Sequence, residues 1–407
     1  MSHPPAARAA ASSGVLAPLY LAGFTTAFGA HGVATGLGVE SGRLGLSLLG
    51  FGAILALYDV AEVVLKPVFG ALSDRIGVKP VILGGLVAFA LVSAVGMLTT
   101  DPVVLGVVRF AQGAAASAFS PASSSAVARL AGGDRLGRYF GRYGAWKSIG
   151  YVAGPLLGAA LIALTGLWAL YAALAVLAAA AAGWVALALP SLPVLARPRY
   201  TLADLVRQTT ERGFVVPVLI LAASTGMLGV AVGYLPLIGT RLGLGAIASA
   251  APVAVLATVS ATAQPLAGRR HDRGALTTRG AAAVALAAGA VALVLLAAAE
   301  TMTPVAVMSA GAPALITAVF VAAVLVGAAV GVATPLAYAH LSAHTPPERL
   351  GRTMGNAELG RELGDAGGPL LVGAIGTAAS LAAGFGALAV VTIAVAVTGA
   401  VALRAPR

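Results

Sequence analysis

The chain has no cysteine. That excludes disulfides, thiolate metal sites and cysteine nucleophiles together. Charge is scarce: 10% of the 407 residues are Asp, Glu, Lys or Arg, against about 25% in a water-soluble domain. Aromatic residues make up only 6%. No G-x-x-x-x-G-K-[ST] loop is present to cradle a nucleotide phosphate, so no ATP-driven motor is visible. Any work this chain does is expected to draw on an ion gradient. Met1–Ser13 lacks the charged start and cleavage pattern of a secretory signal peptide. His340 and His344 stand four apart without the Glu of an H-E-x-x-H motif, which leaves a metalloprotease unsupported.

What is abundant is apolar: 59% of residues, with a mean hydropathy of +0.96. A membrane-spanning helix needs ~20 such residues, and Ala and Gly let helix backbones approach closely in lipid. Twelve apolar segments are expected, at about 15–38, 44–70, 79–99, 102–131, 137–164, 167–189, 214–239, 246–267, 279–299, 312–342, 351–376 and 381–403. The longest polar stretch, Pro190–Arg212, divides the chain near its midpoint. The domain expectation is therefore a first six-helix bundle over 1–189, a linker over 190–213 and a second bundle over 214–407.

A net charge of +11 would suggest nucleic acid in a soluble protein. Here the basic residues fall in short loops. With twelve spans, all but six of the 25 Lys and Arg share the side of both termini and the linker. Arg43 and Arg241 lie opposite, and Lys66, Arg109, Lys147 and Arg361 fall inside segments. This bias predicts a multi-pass protein of the bacterial inner membrane with both termini cytoplasmic, and no nucleic-acid partner.

The chain also repeats itself. At an offset of 214, Arg135-Leu136-Gly137-Arg138 meets Arg349-Leu350-Gly351-Arg352, Lys147 meets Arg361, and Gly154-Pro155-Leu156-Leu157 meets Gly368-Pro369-Leu370-Leu371. At an offset of 198, Pro67, Gly70, Asp74 and Arg75 meet Pro265, Gly268, Asp272 and Arg273. Parallel halves of this kind are a known transporter plan, with the substrate held between them near the midplane.

Three motifs carry a family resemblance. Gly70-Ala71-Leu72-Ser73-Asp74-Arg75-Ile76-Gly77-Val78-Lys79, placed in the loop after the second segment, matches G-x-L-x-D-R-x-G-x-K. Gly70 permits close contact, Gly77 a tight turn, and Asp74 can cap a helix or pair with a base. Arg109-Phe110-Ala111-Gln112-Gly113 matches R-x-x-Q-G, and Gly150 to Gly158 matches G-x-x-x-G-P-x-x-G through Gly154 and Pro155. The glycines offer a flat face and Pro155 a bend. The chain thus resembles the major facilitator superfamily, and within it the twelve-helix drug/proton antiporters. The resemblance implies an all-α membrane protein of two pseudo-symmetric six-helix bundles. It also implies a gate at Gly70, Asp74, Arg75, Gly77 and Lys79, proton coupling at Arg109, and an exporter's helix 5 in Gly150, Gly154, Pro155 and Gly158.

Charged residues inside the membrane mark cavities and ion pathways. Asp59, Glu62 and Lys66 share one face of the second segment, with Glu62 and Lys66 positioned to pair. Glu358, Arg361, Glu362 and Asp365 form a stripe in the eleventh, and His31 in the first could reach the same cavity. Either cluster could instead hold paired charges that fix helix packing. The leading expectation is proton-coupled efflux of a small cationic or amphipathic molecule by a monomer in the lipid bilayer, with no cofactor and no resident metal. Two alternatives keep the transporter and change the cargo. One is a divalent cation on Asp59, Glu62 and His31; the other is an organic anion on Lys66, Lys147 and Arg361. An enzyme is not expected, because no His–Asp set accompanies Ser123-Ser124-Ser125.

Overall fold

The computed structural model describes residues 13–132, 135–194, 210–308 and 312–403. The terminal arginines, Asp134 and most of the expected linker, with Arg197, Arg199 and Arg207, lie outside the described residues. The first half supplies α1 (Ser13–Glu40), α2 (Leu48–Ile76), α3 (Val78–Gly96), α4 (Pro102–Ala131), α5 (Leu136–Thr165) and α6 (Leu167–Ala188). The second supplies α7 (Arg212–Arg241), α8 (Ala246–Asp272), α9 (Thr278–Met308), α10 (Ala312–Ala343), α11 (Leu350–Ala378) and α12 (Leu381–Ala402). The fold is all-α, twelve transmembrane helices in two six-helix bundles.

Local chemistry sets the helix ends. Asp101 caps α4 by accepting bonds from the N–H groups of Val103 and Val104 at 2.9 and 3.0 Å, with Pro102 in the first turn. Ser47 and Ser380 cap α2 and α12 in the same way. Gly77, at φ 99°, separates α2 from α3, and Gly166, at φ 103°, separates α5 from α6. Only glycine adopts such angles at little cost. Among the described residues, nine helices are long and apolar enough to cross a membrane. The three that fall short are α1, α2 and α11, and the last two carry the charge clusters.

The packing repeats with the sequence. In the first half α3 packs on α4 and α6, α2 on α4, and α1 on α4 and α6. In the second half α9 packs on α10 and α12, α8 on α10, and α7 on α10 and α12. The chain divides into two compact units that follow its order, except for two exchanged segments. One unit holds α1–α4, α5 as far as Tyr139 and again from Ala153, α6, and α11 as far as Asn356. The other holds Phe140–Val152 of α5, α7–α10, α11 from Ala357, and α12.

Small residues set the spacing within each unit. A Cβ on Gly154 would stand 2.8 Å from the Phe28 carbonyl and 2.9 Å from the Gly32 nitrogen. A Cβ on Gly368, its repeat partner, would stand 2.7 Å from the Gly226 Cα. So α5 lies against α1 through the glycines of the G-x-x-x-G-P-x-x-G motif, and α11 lies against α7 through their copies. Gly150, Gly154 and Gly158 are buried and Pro155 is partly covered.

Candidate functional site

The expected gate motif is helical, not a loop. Gly70 to Ile76 continue α2, and only Gly77 breaks it. Asp74 stands in the last turn of α2, and its carboxylate accepts the backbone N–H groups of Gly351 at 2.7 Å and Arg352 at 2.9 Å. Leu350 is preceded by Arg349, which cannot cap. Asp74 therefore provides the missing cap of α11, where a carboxylate is also favoured by the helix dipole. Lys79, on the far side of Gly77, donates to the carbonyls of Ala186 and Leu189 at 2.9 and 2.6 Å. A cation there completes the C-terminal end of α6. Gly70 lies so close to α11 that its Cβ would stand 2.6 Å from the Gly351 carbonyl. Arg75 is exposed.

In the same unit, α2, α3 and α4 hold a buried polar chain. Lys66 Nζ donates to Glu62 at 3.0 Å, and the Tyr58 hydroxyl donates to the other oxygen of Glu62 at 3.4 Å. The Arg109 guanidinium lies 4.2 Å over the Tyr58 ring and donates to Gln112 at 3.3 Å; Gln112 in turn donates to Ser93 at 2.9 Å. Gly113 makes this possible, since a Cβ there would stand 3.0 Å from the Tyr58 Cα. Glu62 and Arg109 are each 2% exposed and Lys66 is 0% exposed. Arg109 bonds no carboxylate among the described residues, and its Nε has no partner. Asp59 is different: it is exposed. The expected stripe of three thus differs in cover, with Glu62 and Lys66 buried and Asp59 exposed. His31 is partly covered in α1. Among the described residues, no group of three or more His, Cys, Asp or Glu gathers as metal ligands would. His340 and His344 stack on each other, ring centres 4.1 Å apart.

The other unit gathers the α11 stripe around one carboxylate. Glu358 is fully buried. It accepts bonds from Lys147 of α5 at 3.2 Å, Arg361 at 3.4 Å and the Tyr338 hydroxyl at 2.6 Å. Arg361 also reaches Glu362 at 3.2 Å and the Tyr151 hydroxyl at 2.7 Å. Asp365 is partly covered one turn further on. Lys147 and Arg361 are repeat partners in sequence, and here they share one anion. Next to them lies a small cavity of about 20 Å³, lined by α5, α7, α8, α10 and α11. Its size suits a water or two, not a drug-sized molecule of ~300 Å³ or more.

Sequence reasoning missed several of these groups. Tyr58, Tyr151 and Tyr338 belong to no motif or charge pattern that marks them in sequence. Ser148, Ser260 and Gln264 form a buried hydrogen-bonded set, with Gln264 Nε2 at 2.7 Å from Ser148. A signal for them existed, because Ser260 and Gln264 occupy the positions of Glu62 and Lys66 at the offset of 198.

Charged side chains sheltered inside two repeated helical bundles define a polytopic membrane carrier. The sequence model of the Major Facilitator Superfamily matches residues 13–318, and the chain belongs to that family. It is 34% identical over 112 residues to the Multidrug resistance protein MdtG of Erwinia billingiae, covering 28% of this chain and 27% of that one. It is 33% identical over 123 residues to the Tetracycline resistance protein, class C, of Escherichia coli, covering 28% and 29%. It is 34% identical over 115 residues to a triacylglyceride transporter of Mycolicibacterium smegmatis, covering 28% and 20%. The match thus spans under a third of each relative. In structure, the chain is similar over 98% of its length to the human organic anion transporter MFSD10 (TETRAN), with a TM-score of 0.69 at 20% identity, covering 100% of that chain. It is similar over 96% to the E. coli fucose:proton symporter FucP, with a TM-score of 0.72 at 13% identity, covering 98% of that chain. These two likenesses concern the fold alone.

Proposed function

We propose that this protein is a proton-coupled exporter of small amphipathic molecules in a bacterial inner membrane, working by alternating access with both termini cytoplasmic. The observation that carries the reading is the burial of Glu62 and Glu358, each held by cations inside a helical bundle. A lipid-facing charge would be prohibitively placed there. A buried carboxylate that can exchange a cation partner for a proton is the element a proton-driven carrier needs. The multidrug and tetracycline resistance proteins among the relatives support efflux over uptake, as does the helix 5 motif.

In this reading the halves 1–189 and 214–407 rock about a midplane site. The α2–α11 contact through Gly70 and Asp74 serves as the cytoplasmic latch, and Arg109 tunes the proton step in the first half. The test is proton movement in proteoliposomes. Cargo added to a vesicle with an imposed gradient should drive proton counterflow. Glu62→Gln combined with Glu358→Gln should reduce it at least about tenfold, with folding intact by size-exclusion elution. Undiminished counterflow in the double variant would remove both carboxylates from the coupling.

A further inference from the structure

We propose that the cavity beside Lys147 and Arg361 recognises an organic anion, and that Glu358 is the internal occupant which the anion displaces. This deepens the carrier reading and rests on it, since it names the cargo's charge at that same site. The lining of the cavity includes two cations, Lys147 and Arg361, and no Asp or Glu. Glu358, outside that lining, bonds both at 3.2 and 3.4 Å, and Glu362 also bonds Arg361 at 3.2 Å. A planar guanidinium and an ammonium converging on one carboxylate form a site for a carboxylate-like group.

Two further observations point to a ligand. Gln264 and Thr334 are among the residues lining the cavity, and the Gln264 Oε1 and the Thr334 hydroxyl are buried with no hydrogen-bond partner. An unpaired buried polar group is costly, so each favours a cavity occupant that supplies the missing bond. Aromatic walls complete the site: Phe140 stacks on Tyr338 with ring centres 5.3 Å apart, and Tyr143 and Tyr151 face the same space. The matching ligand is an amphipathic aromatic anion that also carries a hydroxyl or N–H group. The cavity as it stands admits water only, so the ligand enters when α5 and α11 part, and the cations transfer from Glu358 to it.

The same positions argue against a cationic cargo here. Such a molecule would meet Lys147 and Arg361 in the lining, while Glu358 already has two cations and a tyrosine hydroxyl bonded to it and Glu362 is paired with Arg361.

The experiment is calorimetric titration of the full-length protein in detergent with benzoate, para-hydroxybenzoate and naphthoate, and with the para-hydroxyphenyl trimethylammonium ion as the cationic match. The expected result is binding of at least one anion and not of the ammonium. Glu358→Gln should tighten anion binding about tenfold, because the cations lose their internal partner. Lys147→Gln should weaken it about tenfold, and Lys147→Arg should restore it. Preference for the ammonium, no binding of any of the three anions, or anion affinity unmoved by both Glu358→Gln and Lys147→Gln would overturn the proposal. Circular dichroism of each variant separates lost binding from lost fold. Proton counterflow with other cargo would still stand in that case, so failure here is distinguishable from failure of the carrier reading.

Discussion

At the residue scale, the shared theme is a charge that finishes another helix's backbone. Asp74 supplies the N-terminal cap of α11 and Lys79 the C-terminal end of α6. Replacing Asp74 by Ala leaves two N–H groups without an acceptor and should cost about 1 kcal/mol or somewhat more. The expected outcome is a lower thermal unfolding midpoint and slower transport, with Asp74→Asn between wild type and Ala because a neutral oxygen still accepts. Arg109 gives a sharper case. Its guanidinium stacks on Tyr58 and bonds Gln112, which an ammonium cannot reproduce in the same plane. Arg109→Lys should therefore keep the charge, fold normally and lose roughly tenfold or more in transport rate, measured as initial efflux from loaded vesicles. The sequence alone marks Arg109, Glu62 and Lys66 as sheltered, because intramembrane charge has few tolerable places. It does not separate Asp59 from Glu62. Both lie on one helical stripe, and the difference between them is set by which neighbour covers the stripe at that turn.

At the scale of elements, glycine positions decide how near two helices come. A Cβ on Gly355 would stand 2.6 Å from the Lys66 carbonyl, and one on Gly141 would stand 2.9 Å from the Pro265 Cα. The two contacts correspond. Gly141 and Gly355 differ by the offset of 214, and the Lys66–Pro67 and Gln264–Pro265 pairs by that of 198. Leucine at either glycine should hold the paired helices apart without disturbing α1–α4 or α7–α10 packing. Transport is expected to fall about tenfold or more in each variant while helix content and yield stay near wild type. Gly154→Leu should behave otherwise. It intrudes on α1 inside one bundle, and a loss of yield and thermal stability is expected, as overpacking of a tight core gives ~1–3 kcal/mol. Helix number and order were legible from apolar runs alone. The ends were less so: α2 runs to Ile76 because Ser73-Asp74-Arg75 is compatible with a last helical turn and Gly77 stops it, whereas polarity by itself suggests a loop. The turn at Gly166 was legible only as a gap between two apolar runs.

At the scale of the whole molecule, the sequence repeat is also a packing repeat, with the α3–α4, α3–α6, α2–α4, α1–α4 and α1–α6 pairs of the first half recurring six helices later. The repeat carries different chemistry in its two copies. Glu62 and Lys66 are an ion pair, while Ser260 and Gln264 at the matching positions are neutral and hydrogen-bonded. Lys147 of the first half and Arg361 of the second converge on Glu358. A pseudo-symmetric scaffold with unlike contents suits the proposed carrier, in which asymmetric cargo and protons bind at different places. The convergence on Glu358 was not legible in sequence, because it depends on a pairing between segments far apart in the chain. The absence of cysteine makes the decisive measurement simple. With Thr334→Cys as the only thiol, a membrane-impermeant maleimide can be applied separately from each face of oriented vesicles. Alternating access predicts labelling from both faces, with cargo and the proton gradient shifting the ratio between them. Labelling from one face only, in the same proportion whatever the cargo or gradient, would contradict it.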